Sequence, residues 1–199
     1  MILEEKKTHT HQNLLINAEV IESVNEYKYL GTVIDSRLTW DGNTSAIYKK
    51  GQQRLHFMRK LRQYKVDSSI MKIFYQSFIE SALTFCLIAW YGALSLDNRG
   101  KLRKIVNISS RIAGIQFSCL THIYETRVLK KGKAIACDPS HPLSDQYQLL
   151  RSGRRYCTLS LDTRAKKTFV PTSIALLNKH ISPLCECTHG LILKGNFGF

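Results

Sequence analysis

The sequence predicts a mainly α protein, a basic helical bundle preceded by a small N-terminal β-hairpin. Three observations carry that prediction. Apolar side chains recur at three- and four-residue intervals through most of residues 44–136. The positions between them are rich in Lys and Arg. β-Branched and aromatic residues gather instead in two short N-terminal runs, 14–21 and 27–34. With 44% apolar residues in 199, the chain has enough hydrophobic surface for a packed core.

The runs Leu14–Ile21 and Tyr27–Ile34 are separated by a polar link, 22–26, and predict two antiparallel strands, with a further tight turn open at Asn17-Ala18. The first helix is expected to open at Thr44 or Ser45 and to run to Tyr64, with Ile47, Leu55, Met58 and Leu61 on its apolar side. Val66-Asp67-Ser68 breaks it. Asp67 or Ser68 then caps a second helix that carries Ile70, Ile73, Phe74, Phe78, Leu83 and Phe85 and continues toward Trp90-Tyr91-Gly92. It is apolar nearly all round, which predicts burial.

A third helix is expected over Leu96–Gly114, with Leu102, Ile105, Val106, Ile112 and Ala113 inward, and a fourth over Leu120–Ala136, with Ile123, Tyr124, Val128 and Ile135. The two prolines of Asp138-Pro139-Ser140-His141-Pro142 break the pattern. An irregular basic arm containing Arg151-Ser152-Gly153-Arg154-Arg155-Tyr156 follows, and a last short helix from Pro171 or Thr172 to Lys179. The expected domains are a hairpin at 1–36, a helical bundle at 40–137, the arm at 138–182 and a disordered tail at 183–199.

Lys and Arg number 29 against 15 Asp and Glu, a formal charge of +14. Such an excess predicts a polyanionic partner, with RNA or DNA ahead of a membrane surface, bound without sequence preference and sensitively to salt. The candidate nucleic-acid-binding residues are Lys49, Lys50, Arg54, Arg59, Lys60 and Arg62 on the first helix, Arg103 and Lys104 on the third, and Arg154 and Arg155 in the arm. Tyr48, Tyr64, Trp90, Tyr124 and Tyr156 lie among them and could stack on bases. The longest apolar run, Ala82–Tyr91, is about half a bilayer span. Glu4-Glu5-Lys6-Lys7 follows Met1-Ile2-Leu3 where a secretory leader would need an apolar stretch. An intracellular location, cytoplasm or nucleus, is therefore expected, with the six cysteines reduced. Composition leaves the oligomeric state open.

Expected catalytic residues, metal ligands and cofactors are none. The carboxylates are scattered, without an Asp-Asp pair. Two residues after His9, His11, His56, His122, His141, His180 and His189 stand His, Asn, Met, Tyr, Leu, Ser and Leu, so the His-x-Asp arrangement of a non-haem iron site is absent. Gly31, Gly42 and Gly51 are isolated and form no nucleotide-binding loop. The cluster His180, Cys185, Cys187 and His189 offers four donors, but one residue between two thiolates suits a tetrahedral zinc poorly.

Two family resemblances go with these residues. Tyr27–Asp35, Leu38-Thr39-Trp40, Lys49–Leu55, Phe74-Tyr75, Ile79-Glu80-Ser81, Trp90-Tyr91-Gly92 and Ser152–Tyr156, in that order, resemble the C-terminal part of a LINE-type, non-LTR retrotransposon reverse transcriptase. That likeness implies the closing hairpin of a palm followed by a thumb that grips template and primer. The family's paired aspartates would lie upstream of Met1, so no catalytic residue carries over and no polymerase activity is expected of this chain. The same stretch resembles the family named for the N-terminal region of AlkB homologue 8. That name implies tRNA modification by 2-oxoglutarate-dependent dioxygenase and methyltransferase parts, for which the chain shows neither iron triad nor glycine-rich loop. The expected functions are thus a catalytically incomplete thumb that still binds nucleic acid, a part of a tRNA-modifying protein, or a transposon relic without a selected role.

Overall fold

The computed structural model describes residues 15–17, 19–20, 22–161 and 165–180. The tail 183–199, and with it Cys185, Cys187 and His189, lies outside these residues. The chain is mainly α-helical with antiparallel β structure near its N-terminus, as the sequence predicts. It divides into two compact units, residues 1–120 and 121–199.

Among the described residues the two apolar runs do not pair with each other. Each turns back on itself. Strands β1 (Leu15–Ile16) and β2 (Glu19–Val20) form one hairpin, in the register Leu15↔Val20, with Asn17 at φ 52° in its turn. Strands β3 (Glu26–Tyr29) and β4 (Thr32–Asp35) form the other, with Glu26 opposite Asp35. The reason is local: Leu30 and Gly31 both take positive φ, 46° and 86°, the geometry of a two-residue reversal whose twist matches the strands. Gly31 makes the second of those angles cheap, so what reads as one strand is a hairpin.

Helix α1 (Asp41–Gln63) begins three residues earlier than the periodicity predicts. The carboxylate of Asp35 explains the early start. It accepts from the backbone N–H groups of Arg37, Thr39 and Trp40 at 3.1, 2.9 and 2.7 Å, and so folds the chain sharply into the helix. The Asn43 amide oxygen accepts from the Val33 N–H at 3.3 Å, tying β4 to the first turn. An isolated hairpin is marginal in water, and these bonds fasten this one to a helix.

Helix α2 (Ser68–Phe74) is capped by Asp67, whose carboxylate accepts from the Ser69 N–H at 2.8 Å. It runs into a π turn, Tyr75–Glu80, and a short α3 (Ser81–Leu83). The chain then bends by 42° and continues through α4 (Leu87–Trp90) and a 3-10 turn, Tyr91–Ala93. At the bend Cys86 takes φ 47°, and the Trp90 indole N–H donates to the Phe85 carbonyl at 2.9 Å. The single long helix of the sequence reading is thus broken. Among the described residues no single helix is long and apolar enough to cross a membrane.

Helix α5 (Leu96–Ala113) starts at a Ser95 cap and ends at Gly114, whose φ of 71° closes the last turn. It runs parallel to α1. Asn98 Nδ2 donates to Asp41 Oδ1 at 2.5 Å near both N-termini, and farther along Gly51 faces Ile105 so closely that a Cβ would lie 3.2 Å from the isoleucine. The core of this unit gathers Leu55 and Met58 of α1, Met71, Tyr75, Ile79 and Leu83 of the second helical stretch, and Leu102, Ile105 and Val106 of α5. Phe117 stacks on Tyr75 with ring centroids 3.7 Å apart.

In the second unit, α6 (Leu120–Ala136) and α7 (Phe169–Lys179) contribute Ile135, Ile174 and Leu177 to a small core with Tyr147. Helix α7 starts two residues before the expected Pro171, a residue that any helix tolerates in its first turn. Gly132 of α6 lies against Ser173 of α7, where a Cβ would come within 2.9 Å of the serine Cβ. The Tyr147 and Ser173 hydroxyls share a buried hydrogen bond of 2.6 Å.

Candidate nucleic-acid interface

Helices α1 and α5 run parallel and pack through Gly51 and Ile105, so helical spacing alone would set part of their wet sides along one seam. The helical period fixes which cations line it. On α1, Tyr48 and Gln52 are joined by a 3.0 Å bond, and Arg59 falls on the same line three turns from Tyr48. On α5, Lys101 lies near enough to Asp41 and Tyr48 to feel both, and Lys104 and Arg111 follow it at helical spacing. Arg62 continues the α1 row. From Tyr48 to Arg62 the seam is about 20 Å long at 1.5 Å per residue, which matches roughly six nucleotides of one duplex strand at 3.4 Å each.

The other predicted site residues go elsewhere. Lys49 and Lys60 are exposed on the outermost face of α1, opposite its core side. Lys50 is exposed, and Arg54 points toward the π turn, where its Nη1 donates to the Phe78 carbonyl. A widened turn loosens the regular ladder, and this guanidinium answers one of its carbonyls. Arg54 is therefore a structural cation. Arg103 lies on the side of α5 shared with Arg99, and Arg99 is half-buried over the Tyr91 ring, donating to the Tyr91 and Gly92 carbonyls at 3.3 and 3.0 Å. Arg99 pins the 3-10 turn to α5.

Arg154 and Arg155 are exposed in the second unit, on a loop closed by the antiparallel bridge Leu149↔Tyr156. The Asn178 amide of α7 clamps that loop, accepting from the Tyr156 N–H at 2.8 Å and donating to its carbonyl at 3.0 Å. The arm that the sequence leaves irregular is a held arginine loop, with Gly153 at φ 67° at its tip.

Electrostatics modulate the seam. Lys101 forms a 2.7 Å ion pair with Asp97 one turn before it, which raises the lysine pKa and lowers that of the aspartate. Part of its charge is thereby answered within the protein, and the same aspartate also feels Lys104. Tyr75 is too deep to join the seam. Burial, and then the negative charge of Glu80, pushes its phenol far above the ordinary range.

The sequence reading counts Arg111 with Lys104 among the basic groups but does not single out Lys101, although its spacing from them places all three on one face. The pairing of α1 with α5 is what gives that face a partner. Among the described residues no group of three or more His, Cys, Asp or Glu side chains converges as metal ligands.

Fold and site together define a mainly helical protein with a cationic two-helix seam. The family described as alkylated DNA repair protein alkB homolog 8, N-terminal, matches residues 40–81, from the entry to α1 through the π turn. No curated protein and no solved structure matches the chain.

Proposed function

We propose that this chain holds nucleic acid along the α1–α5 seam as the helical, non-catalytic part of a protein of the alkB homolog 8 kind. In such a protein, dioxygenase and methyltransferase parts would modify tRNA while these helices grip the polyanion. The observation that carries the proposal is a coincidence of position: the matched residues 40–81 contain all of α1, with Arg59 and Arg62 on the seam and Lys49 and Lys60 beside it. Phosphate contacts supply affinity without sequence preference.

The test is fluorescence anisotropy with labelled tRNA and duplex DNA over a salt series. Binding should weaken linearly on a logarithmic salt axis, and Arg59→Glu with Lys104→Glu should weaken it at least tenfold. Absence of binding at low salt rejects the proposal. Turnover of 2-oxoglutarate, or methyl transfer from S-adenosylmethionine, by the purified chain rejects its non-catalytic half.

The order of elements favours a second reading. A β3–β4 hairpin carrying Tyr27–Asp35 leads directly into the cationic helices, the succession implied by a reverse transcriptase palm edge and thumb. On that reading a template–primer hybrid binds more tightly than tRNA or single strands of equal length.

A further inference from the structure

A second surface of the first unit is left over by this reading. Met71, Tyr75 and Ile79 are fully buried, yet Ile73 is 62% exposed, Ile70 53% and Phe78 53%. Across the α1–α2 turn Phe57 is 60% exposed and Tyr64 80%. Leu61, half-buried, sits between these two rings on the same stripe of α1, four residues from Phe57 and three from Tyr64.

Arg54, one turn before Phe57, reaches the Phe78 carbonyl, so this stripe of α1 and the exposed side of the second helical stretch flank a single groove. From Lys50 to Tyr64 the groove is about 21 Å long at 1.5 Å per residue. That accommodates an amphipathic helix of roughly 14 residues. Exposed apolar faces of this extent mark association sites.

Chemistry selects the occupant. Ile70, Ile73 and Leu61 offer nothing for bases to stack on, and Phe74 and Phe78 already stack on each other with centroids 5.0 Å apart, which leaves Phe57 and Tyr64 on one flank as the rings open to a base. A protein fits better than a nucleic acid. Exposed Lys50 and Lys65 lie at the two ends of the α1 stripe, while Asp67 is engaged by Ser69 as a helix cap. A second copy of this +14 chain would set like-charged rims against each other. We infer that the groove between α1 and α2 docks an acidic amphipathic helix of a partner protein, apolar side chains at i, i+3, i+4 and i+7 entering it and carboxylates meeting the lysines.

The experiment titrates the full chain into a labelled 16-residue helical peptide with leucines at that spacing and glutamates on its flanks. Its lysine-flanked twin, anionic phospholipid vesicles and single-stranded RNA serve as parallel probes. The acidic peptide should bind at least tenfold more tightly than its twin, and the Phe57→Ser/Ile73→Ser double variant, its fold checked by circular dichroism, should weaken it at least tenfold. RNA affinity should stay within twofold in that variant, which separates failure here from failure of the seam. Equal binding of the two peptides, or no loss in the variant, overturns the inference. So does a variant whose only change is lost vesicle binding or lost self-association.

Discussion

Helix α5 and the first half of α1 turn their apolar sides inward and most of their cations outward, whereas the stretch from α2 through the π turn, like the end of α1 at Phe57 and Tyr64, buries one apolar row and exposes another. Both regions are hydrophobic at helical spacing. The difference shows that apolar character fixes that a segment is helical and leaves open which of its faces finds a partner. Four buried positions four residues apart, Met71, Tyr75, Ile79 and Leu83, use up the inward side of the second stretch. Ile70, Ile73 and Phe78 are then surplus to this core.

The comparison breaks most sharply at Met71 and Ile73. Met71→Ala should cost about 2–5 kcal/mol in urea unfolding, since it leaves a cavity, and Ile73→Ala less than about 0.5 kcal/mol. Equal costs would mean that Ile73 is covered in the free chain. Next in size, Gly51→Leu should destabilise by about 1–3 kcal/mol, because the new side chain overpacks Ile105 by more than the gain in helix propensity restores.

Asp35→Ala should cost about 1–2 kcal/mol at neutral pH, in the range of a lost helix cap, because three backbone N–H groups lose their acceptor. Partial burial pushes the Asp35 carboxyl up, but the N–H donors of Thr39, Trp40 and Arg37 outweigh it and hold its pKa below the ordinary value. A depressed carboxylate stabilises the fold above its unfolded pKa, near about 4, and that contribution fades as pH falls through the lower folded value. The variant should therefore lose part of the wild-type fall in stability below about pH 4 in acid titrations followed by circular dichroism.

The smallest effect sharpens the contrast between structural and free cations. Lys104→Ala should flatten the salt dependence of duplex binding by about 0.9 in logarithmic slope while leaving stability unchanged. Arg54→Ala should do the reverse, lowering stability with an unchanged slope, because its guanidinium is engaged by the Phe78 carbonyl. A changed slope in Arg54→Ala would return that residue to the interface.

The approximate span of most helices, the cap at Asp67, the end of the third helix at Gly114 and the outward placement of Lys49, Lys60 and Lys104 were legible in the sequence, because each depends on residues within a turn or two. The hairpin reversal at Leu30-Gly31 was harder to read, since its signal is one glycine inside an apolar run. Arg54 and Arg99 look like surface charges until the carbonyls they meet, 24 residues along the chain for Arg54 and seven to eight for Arg99, come into view.

Local periodicity and charge by themselves determined that this protein is a basic, mainly helical one with β structure at its start. Tertiary structure decided which cations remain free, which helix pair forms the seam and which apolar row is left uncovered. Those outcomes depend on the parallel docking of α1 against α5 at Gly51 and on the phase shift of the π turn. Contacts between residues dozens of positions apart set both, and no window of sequence contains them.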